Sequence, residues 1–225
     1  MIAVYNDNGV YSESATEAVS FFSLFGKTEL ISAKQIISNK FKNYKLLIMP
    51  GGSSPSFYSS LGEKGNENIC NFVSNGASYL GICAGAYYAS NKFEFNFLDS
   101  LTVENSSVLS LSDVKAIGPV YKNERLVSIA SFLCLFCGGC SFELEKKTKN
   151  KINIEARYDS GEPAIISNKF GNGSVILSGI HLEYSTTTLF ERNSLYLTLN
   201  DIDKLCLTAK KKQDFLSDLI SPLIF

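Results

Sequence analysis

Two short stretches hold residue types able to break an amide bond. Gly81-Ile82-Cys83-Ala84-Gly85 sets a cysteine between small residues, where an apolar run (79–82) meets a helix-like stretch (84–90). This is the cysteine form of the nucleophile elbow, in which small neighbours let a strained strand-to-helix turn expose one reactive atom. Later in the chain, His181-Leu182-Glu183 follows a second apolar run at 174–178. His181 is the only histidine, and Glu183 is near enough in sequence to hold its ring in one tautomer. Thiol, imidazole and carboxylate are the nucleophile, base and orienter of acyl transfer. Each piece alone has an inert reading, because a free cysteine is often a small buried hydrophobe and a lone histidine is more often structural. Their joint occurrence has a chance frequency of about 0.002 in this composition, which favours a working or formerly working site.

These residues need a scaffold that delivers them to one place. Ile2–Tyr5, 28–32, Leu46–Met49 and 79–82 read as strands, with helical spacing at 14–25, near Ala33 and at 66–75. Ser12 or Ser14 is a candidate cap for the first helix. Continuous apolar runs such as Leu46-Leu47-Ile48-Met49 mark strands buried on both faces. The alternation predicts an α/β fold with a doubly wound, mainly parallel sheet. In such a sheet active sites collect at the carboxyl edge. Cys83, His181 and the loop Pro50-Gly51-Gly52-Ser53-Ser54 all fall at that edge. The glycines there allow backbone N–H groups to face a ligand, although an ordinary Pro-Gly-Gly turn has the same sequence. From 93 to 142 the chain shows short apolar runs without helical periodicity, the pattern of a β-rich insertion. A hairpin is expected over 152–167 and helices over about 186–225. Residues 1–225 are read as one domain.

Composition narrows the function. The 225 residues carry a formal net charge of −1, and Lys210-Lys211-Lys212 is an isolated basic run, so neither a nucleic-acid surface nor a membrane partner is expected. No apolar run is long enough to span a bilayer. The first residues move straight into a strand without a basic leader, and six scattered cysteines suit reduced thiols, so a cytoplasmic location is expected. Cys134, Cys137 and Cys140 form a Cys-x-x-Cys-x-x-Cys run that could begin a zinc or iron–sulfur site, but no fourth ligand is evident.

The motifs together resemble the class I glutamine amidotransferase superfamily, whose fold is flavodoxin-like. More closely, Pro50-Gly51-Gly52, the stretch from Gly76 to Ser90, and that from Pro163 through Ser178-Gly179-Ile180-His181-Leu182-Glu183 resemble the amidotransferase-like domain at the N-terminus of biotin–protein ligases, in its stand-alone form. The resemblance implies Cys83 as nucleophile, His181 as general base and acid, and Glu183 as orienter. It also implies an oxyanion hole from the backbone of Gly52 or Ser53 and of Ala84, with Gly51 and Tyr87 bordering the substrate. Glutamine or a related small amide is then the expected substrate, with no cofactor and with an acceptor enzyme or synthetase as partner. Two positions depart from the pattern. Tyr87 stands where glutamine-using enzymes usually carry Gln, and His-Leu-Glu replaces His-Pro-Glu. No biotinyl-adenylate loop accompanies them, and a catalytically silent ligand-binding or regulatory module is the alternative.

Overall fold

Four residues of unbroken apolar character cannot present a polar face to water, so each such run must have both sides covered. In the computed structural model the runs form the centre of a seven-stranded sheet. The structure describes all residues except 98–100, 107–108, 145–150, 193–194 and 225, and side chains outside 97–108. The parts of the expected insertion and C-terminal stretch that fall on those positions lie outside the described residues.

The first half alternates as expected: β1 (Ile2–Tyr5), α1 (Ser12–Phe22), β2 (Thr28–Ile31), α2 (Ala33–Ile37), β3 (Leu46–Met49), α3 (Ser54–Ser74), β4 (Ser78–Ile82) and α4 (Ala84–Ala89). Then come β5 (Ser90–Phe97), β6 (Leu101–Ser106), β7 (Ser112–Gly118), β8 (Arg125–Ile129), β9 (Phe132–Phe136) and β10 (Ser141–Leu144). The chain returns through β11 (Asn153–Arg157), β12 (Pro163–Phe170) and β13 (Gly173–Ser178), followed by α5 (Thr186–Glu191) and α6 (Leu199–Ile224). The main sheet has the order β11-β12-β13-β4-β3-β1-β2. Its strands from β13 to β2 are parallel, and β11 and β12 add an antiparallel edge. Strands β10-β7-β5-β6 make a second sheet, and β8 pairs with β9 as a ribbon.

Strand alternation sorts the side chains into two cores. Ala3, Tyr5, Leu47, Met49 and Tyr79 face one side, where α2, α3 and the second sheet cover them. Ile2, Val4, Leu46, Ile48, Leu80 and Ile82 face the other, packed by α1, α6 and the β8–β9 ribbon. Helices on both faces make the sheet doubly wound. No helix among the described residues is long and apolar enough to cross a membrane.

One helical boundary differs from expectation. The helix expected over 66–75 is the second half of α3, which begins at Ser54 and breaks at Gly62 (φ +58°, ψ −171°). Its first half hides because only Phe57 and Leu61 turn inward there, too few for a visible period. The helices expected over about 186–225 are α5, which ends at Glu191, and α6, which begins at Leu199.

The glycines around Cys83 are steric requirements. A Cβ on Gly81 would lie 2.4 Å from the Gly85 carbonyl oxygen, and one on Gly85 would lie 2.1 Å from the Met49 carbonyl oxygen. Backbone cannot yield as a flexible side chain can. Gly85→Ala is therefore expected to destabilise the fold by about 3 kcal/mol, read as a lower urea midpoint at unchanged slope. An unchanged midpoint would show that α4 can move away from β3.

Candidate active site

Strand β4 delivers Cys83, and the turn after it is strained. Cys83 has φ +51° and ψ −107°, a conformation that costs a non-glycine residue about 1–3 kcal/mol. The surrounding backbone holds it there. Cys83 N–H donates to Ser178 O at 2.8 Å, and the N–H groups of Ala86 and Tyr87 donate to Cys83 O at 2.9 and 3.2 Å. The sulfur borders a cavity and sits 3.3 Å from Cys137 O.

Strand β13 runs parallel to β4 with Ser178 level with Ile82, so both chains leave the sheet at the same rim. His181 follows, its backbone N–H held by Leu135 O of β9 at 2.9 Å. Its Nδ1 is 2.8 Å from Glu183 Oε1, and the edge of the Tyr184 ring packs on it at 5.4 Å between centroids. The imidazole is 4 % exposed and the carboxylate is fully buried. Burial alone would lower the His181 pKa, but the Glu183 carboxylate and Cys83 beside it outweigh that and hold it well above the ordinary histidine value. Burial would likewise raise the Glu183 pKa, yet the facing imidazolium and hydrogen bonds from His181 and Ser14 bring it below the ordinary value. Both shifts favour the charged forms, as a buried ion pair with good geometry can.

Ser14 was legible only as a helix cap. Instead it lies within the first turn of α1, wholly buried, with its hydroxyl donating to Glu183 Oε1 at 2.6 Å. Ser14 Oγ in turn accepts the Gly51 N–H at 2.9 Å. One hydroxyl therefore ties the carboxylate to the Pro-Gly-Gly loop. A polar residue four before Ala18, on the apolar stripe of α1, was the available signal. Ser14→Ala leaves a buried carboxylate and an amide each without that partner. It is expected to cost about 2 kcal/mol in chemical denaturation, and a loss below a few tenths would mean water replaces the hydroxyl.

The loop itself approaches the imidazole closely. A Cβ on Gly51 would lie 2.7 Å from His181 Cε1, so only glycine fits beneath the ring. Ser53 N–H is already donated to Gly9 O at 2.8 Å. Among the described residues, the N–H groups of Gly52 and Ala84 have no acceptor, and both residues border the cavity beside Cys83. Tyr87, 3 % exposed, also lines it, with its hydroxyl donating to Gly138 O at 3.3 Å.

The three clustered cysteines do not converge. Cys134 packs into the core beneath α1 and α6, and Cys140 into the opposite core. Cys137 sits on the cavity wall beside a third small apolar cluster. Among the described residues no three His, Cys, Asp or Glu side chains are grouped to hold a metal ion. The run is an apolar strand and turn, with sulfurs sent to different sides.

At the cavity mouth, Arg192 donates to both oxygens of Glu124 at 2.6 and 2.9 Å and also pairs with Glu13. Its guanidinium lies over the Tyr184 ring, 5.3 Å from the centroid. Nothing local in the sequence marks this clamp, because its members come from α1, the approach to β8 and the end of α5.

The family model described as "Biotin-protein ligase, N terminal" matches residues 1–128 and 122–224. An uncharacterized protein of Chlamydia muridarum is 34% identical, over 62% of this chain and 61% of that protein. The biotin–protein ligase of Schizosaccharomyces pombe is 35% identical, over 62% of this chain and 26% of the ligase. The chain thus spans about three-fifths of the first relative and about a quarter of the second. A solved glutamine amidotransferase superposes with a TM-score of 0.61 at 17% identity, over 81% of this chain and 90% of that one, a likeness of fold. Matched along nearly all its length, the chain belongs to the biotin–protein ligase N-terminal family and carries the class I glutamine amidotransferase-like fold.

Proposed function

We propose that this protein is a cysteine-dependent amide hydrolase or amidotransferase in which Cys83, His181 and Glu183 act together. The observation that carries the reading is the strained Cys83 turn meeting a Glu183-anchored His181 at one rim of the sheet, on one cavity. A residue held at positive φ beside a buried charged pair is a costly arrangement, of the kind folds retain where it serves a reaction.

The steps follow from the groups present. Cys83 Sγ gives its proton to His181 and attacks the amide carbonyl as the thiolate, and the tetrahedral oxyanion is met by the N–H groups of Gly52 and Ala84. His181 passes its proton to the departing nitrogen, and ammonia leaves. A thioester remains on Cys83. Water then gives a proton to His181 as it attacks the thioester, and the carboxylic acid is released. Glu183 stays ionised throughout, stabilising the imidazolium and keeping the second ring nitrogen aimed at the sulfur. Freed ammonia suits a coupled acceptor enzyme or synthetase, which is the expected partner.

The test is direct trapping of the thioester. Protein mixed with a panel of small primary amides and quenched in acid should gain the acyl mass on the peptide that contains Cys83. Pre-alkylation of the thiol should prevent the gain. If no amide leaves an acyl group and no ammonia is released, the site is a silent ligand-binding module.

A further inference from the structure

The elbow and its partners say how an amide is cut, but the cavity says which amide fits. Resting on the function proposed above, its specificity can be read from its walls. The cavity is about 610 Å³, in the range of about 300–1,000 Å³ that encloses drug-sized ligands, so it has room beyond a free amino acid. One turn of α4 beyond Cys83 the wall becomes aromatic. Tyr87 stands with Phe95 at 5.6 Å and Phe93 at 6.3 Å between ring centroids, and all three line the cavity. The one polar atom of that wall already has a partner, since the Tyr87 hydroxyl donates to Gly138 O.

A free amino acid brings an ammonium and a carboxylate that must be met by fixed charges or dipoles once water is expelled. Among the described residues, the charged side chains on the cavity lining besides His181, which already faces Glu183, are Glu124 and Arg192. They are spent on each other through two hydrogen bonds, with Glu13 as a further partner of the arginine. A zwitterion would have to break that clamp to gain a partner. An uncharged chain would lie against the aromatic wall and leave it intact.

We propose that the site takes a primary amide of an apolar, uncharged carboxylic acid in place of glutamine, with Tyr87 as the residue that selects it. The amide group lies at Cys83 between the Gly52 and Ala84 amides, and the acyl chain lies along Tyr87, Phe93 and Phe95.

The experiment compares hexanamide, 3-phenylpropanamide and L-glutamine in two measurements. In the first, ammonia release by the native protein should give a kcat/KM for the apolar amides at least about tenfold above that for glutamine, since each buried methylene is worth about 10–200-fold. Tyr87→Gln should narrow or reverse that ratio, and Tyr87→Phe should keep it. In the second, calorimetric binding to the Cys83→Ala protein should detect hexanamide and 3-phenylpropanamide and not glutamine. The second measurement separates the two readings. Apolar binding without ammonia release by the native protein sinks the proposed reaction and leaves the specificity standing. Preference for glutamine in either measurement overturns the specificity, as does binding of neither apolar amide.

Discussion

Cys83→Ala should lower amide turnover by about 10⁶-fold while leaving the fold in place, because removing the nucleophile of a triad costs about that much in kcat. The fold should survive because the elbow depends on Gly81 and Gly85, whose missing Cβ atoms make room for backbone, and not on the sulfur. Alanine at φ +51° carries the same backbone strain as cysteine, so the urea midpoint should move little. Residual rate near that of the parent would place the chemistry on another group. Cys137 is the control, since that residue lines the same cavity. Cys137→Ala should leave most of the turnover.

Glu183→Gln is the second large effect. The carboxylate accepts from His181 Nδ1 and from Ser14 Oγ through one oxygen. A carboxamide can donate as well as accept, which admits the wrong tautomer of the ring. Comparable substitutions in triads lower kcat by about 10⁴. The same change removes a buried negative charge from a buried positive one, which typically costs about 3–5 kcal/mol.

It also changes how stability depends on pH. Glu183 has its pKa lowered from 4.5 by folding, so its contribution is complete above that value and lost as pH falls through the folded value. His181 has its pKa raised from 6.5, so its contribution is complete below that value and lost as pH rises through the folded value. Both are whole between 4.5 and 6.5. Stability of the native protein from these two groups should therefore be greatest in that window and decline on either side. In Glu183→Gln the profile should flatten. Urea midpoints measured every half pH unit would read the difference, and an equally peaked variant profile would assign the pH dependence to other groups.

What could be read from the sequence was whatever is encoded locally. The apolar runs of β1, β3, β4 and β13 announce buried strands, and their order with intervening helices dictates a parallel sheet. Parallel strands then put Cys83 and His181 at one rim, so their meeting follows from topology alone. Ser14 and Arg192 escape for the opposite reason. Ser14 meets Glu183 across 169 positions, and Arg192 meets Glu13 across 179, distances at which no periodicity speaks. The choice among oxyanion donors was also hidden. Gly52 and Ser53 look alike in sequence, and only the bond from Ser53 N–H to Gly9 O separates them.

The place of β13 in the sheet has a bearing on the protein's birth. This strand slots between β4 and β12, although β4 leaves the ribosome long before it. While the middle of the chain is being translated, the sulfur of Cys83 has neither the imidazole nor the neighbour strand whose Ser178 carbonyl receives its amide. Sheet closure and the meeting of Cys83 with His181 and Glu183 are therefore one event, which on the proposed function is also the onset of chemistry. A nascent chain arrested before that point lacks the imidazole beside Cys83, and on the proposed reaction the first cleaved amide would report that β13 has gone in.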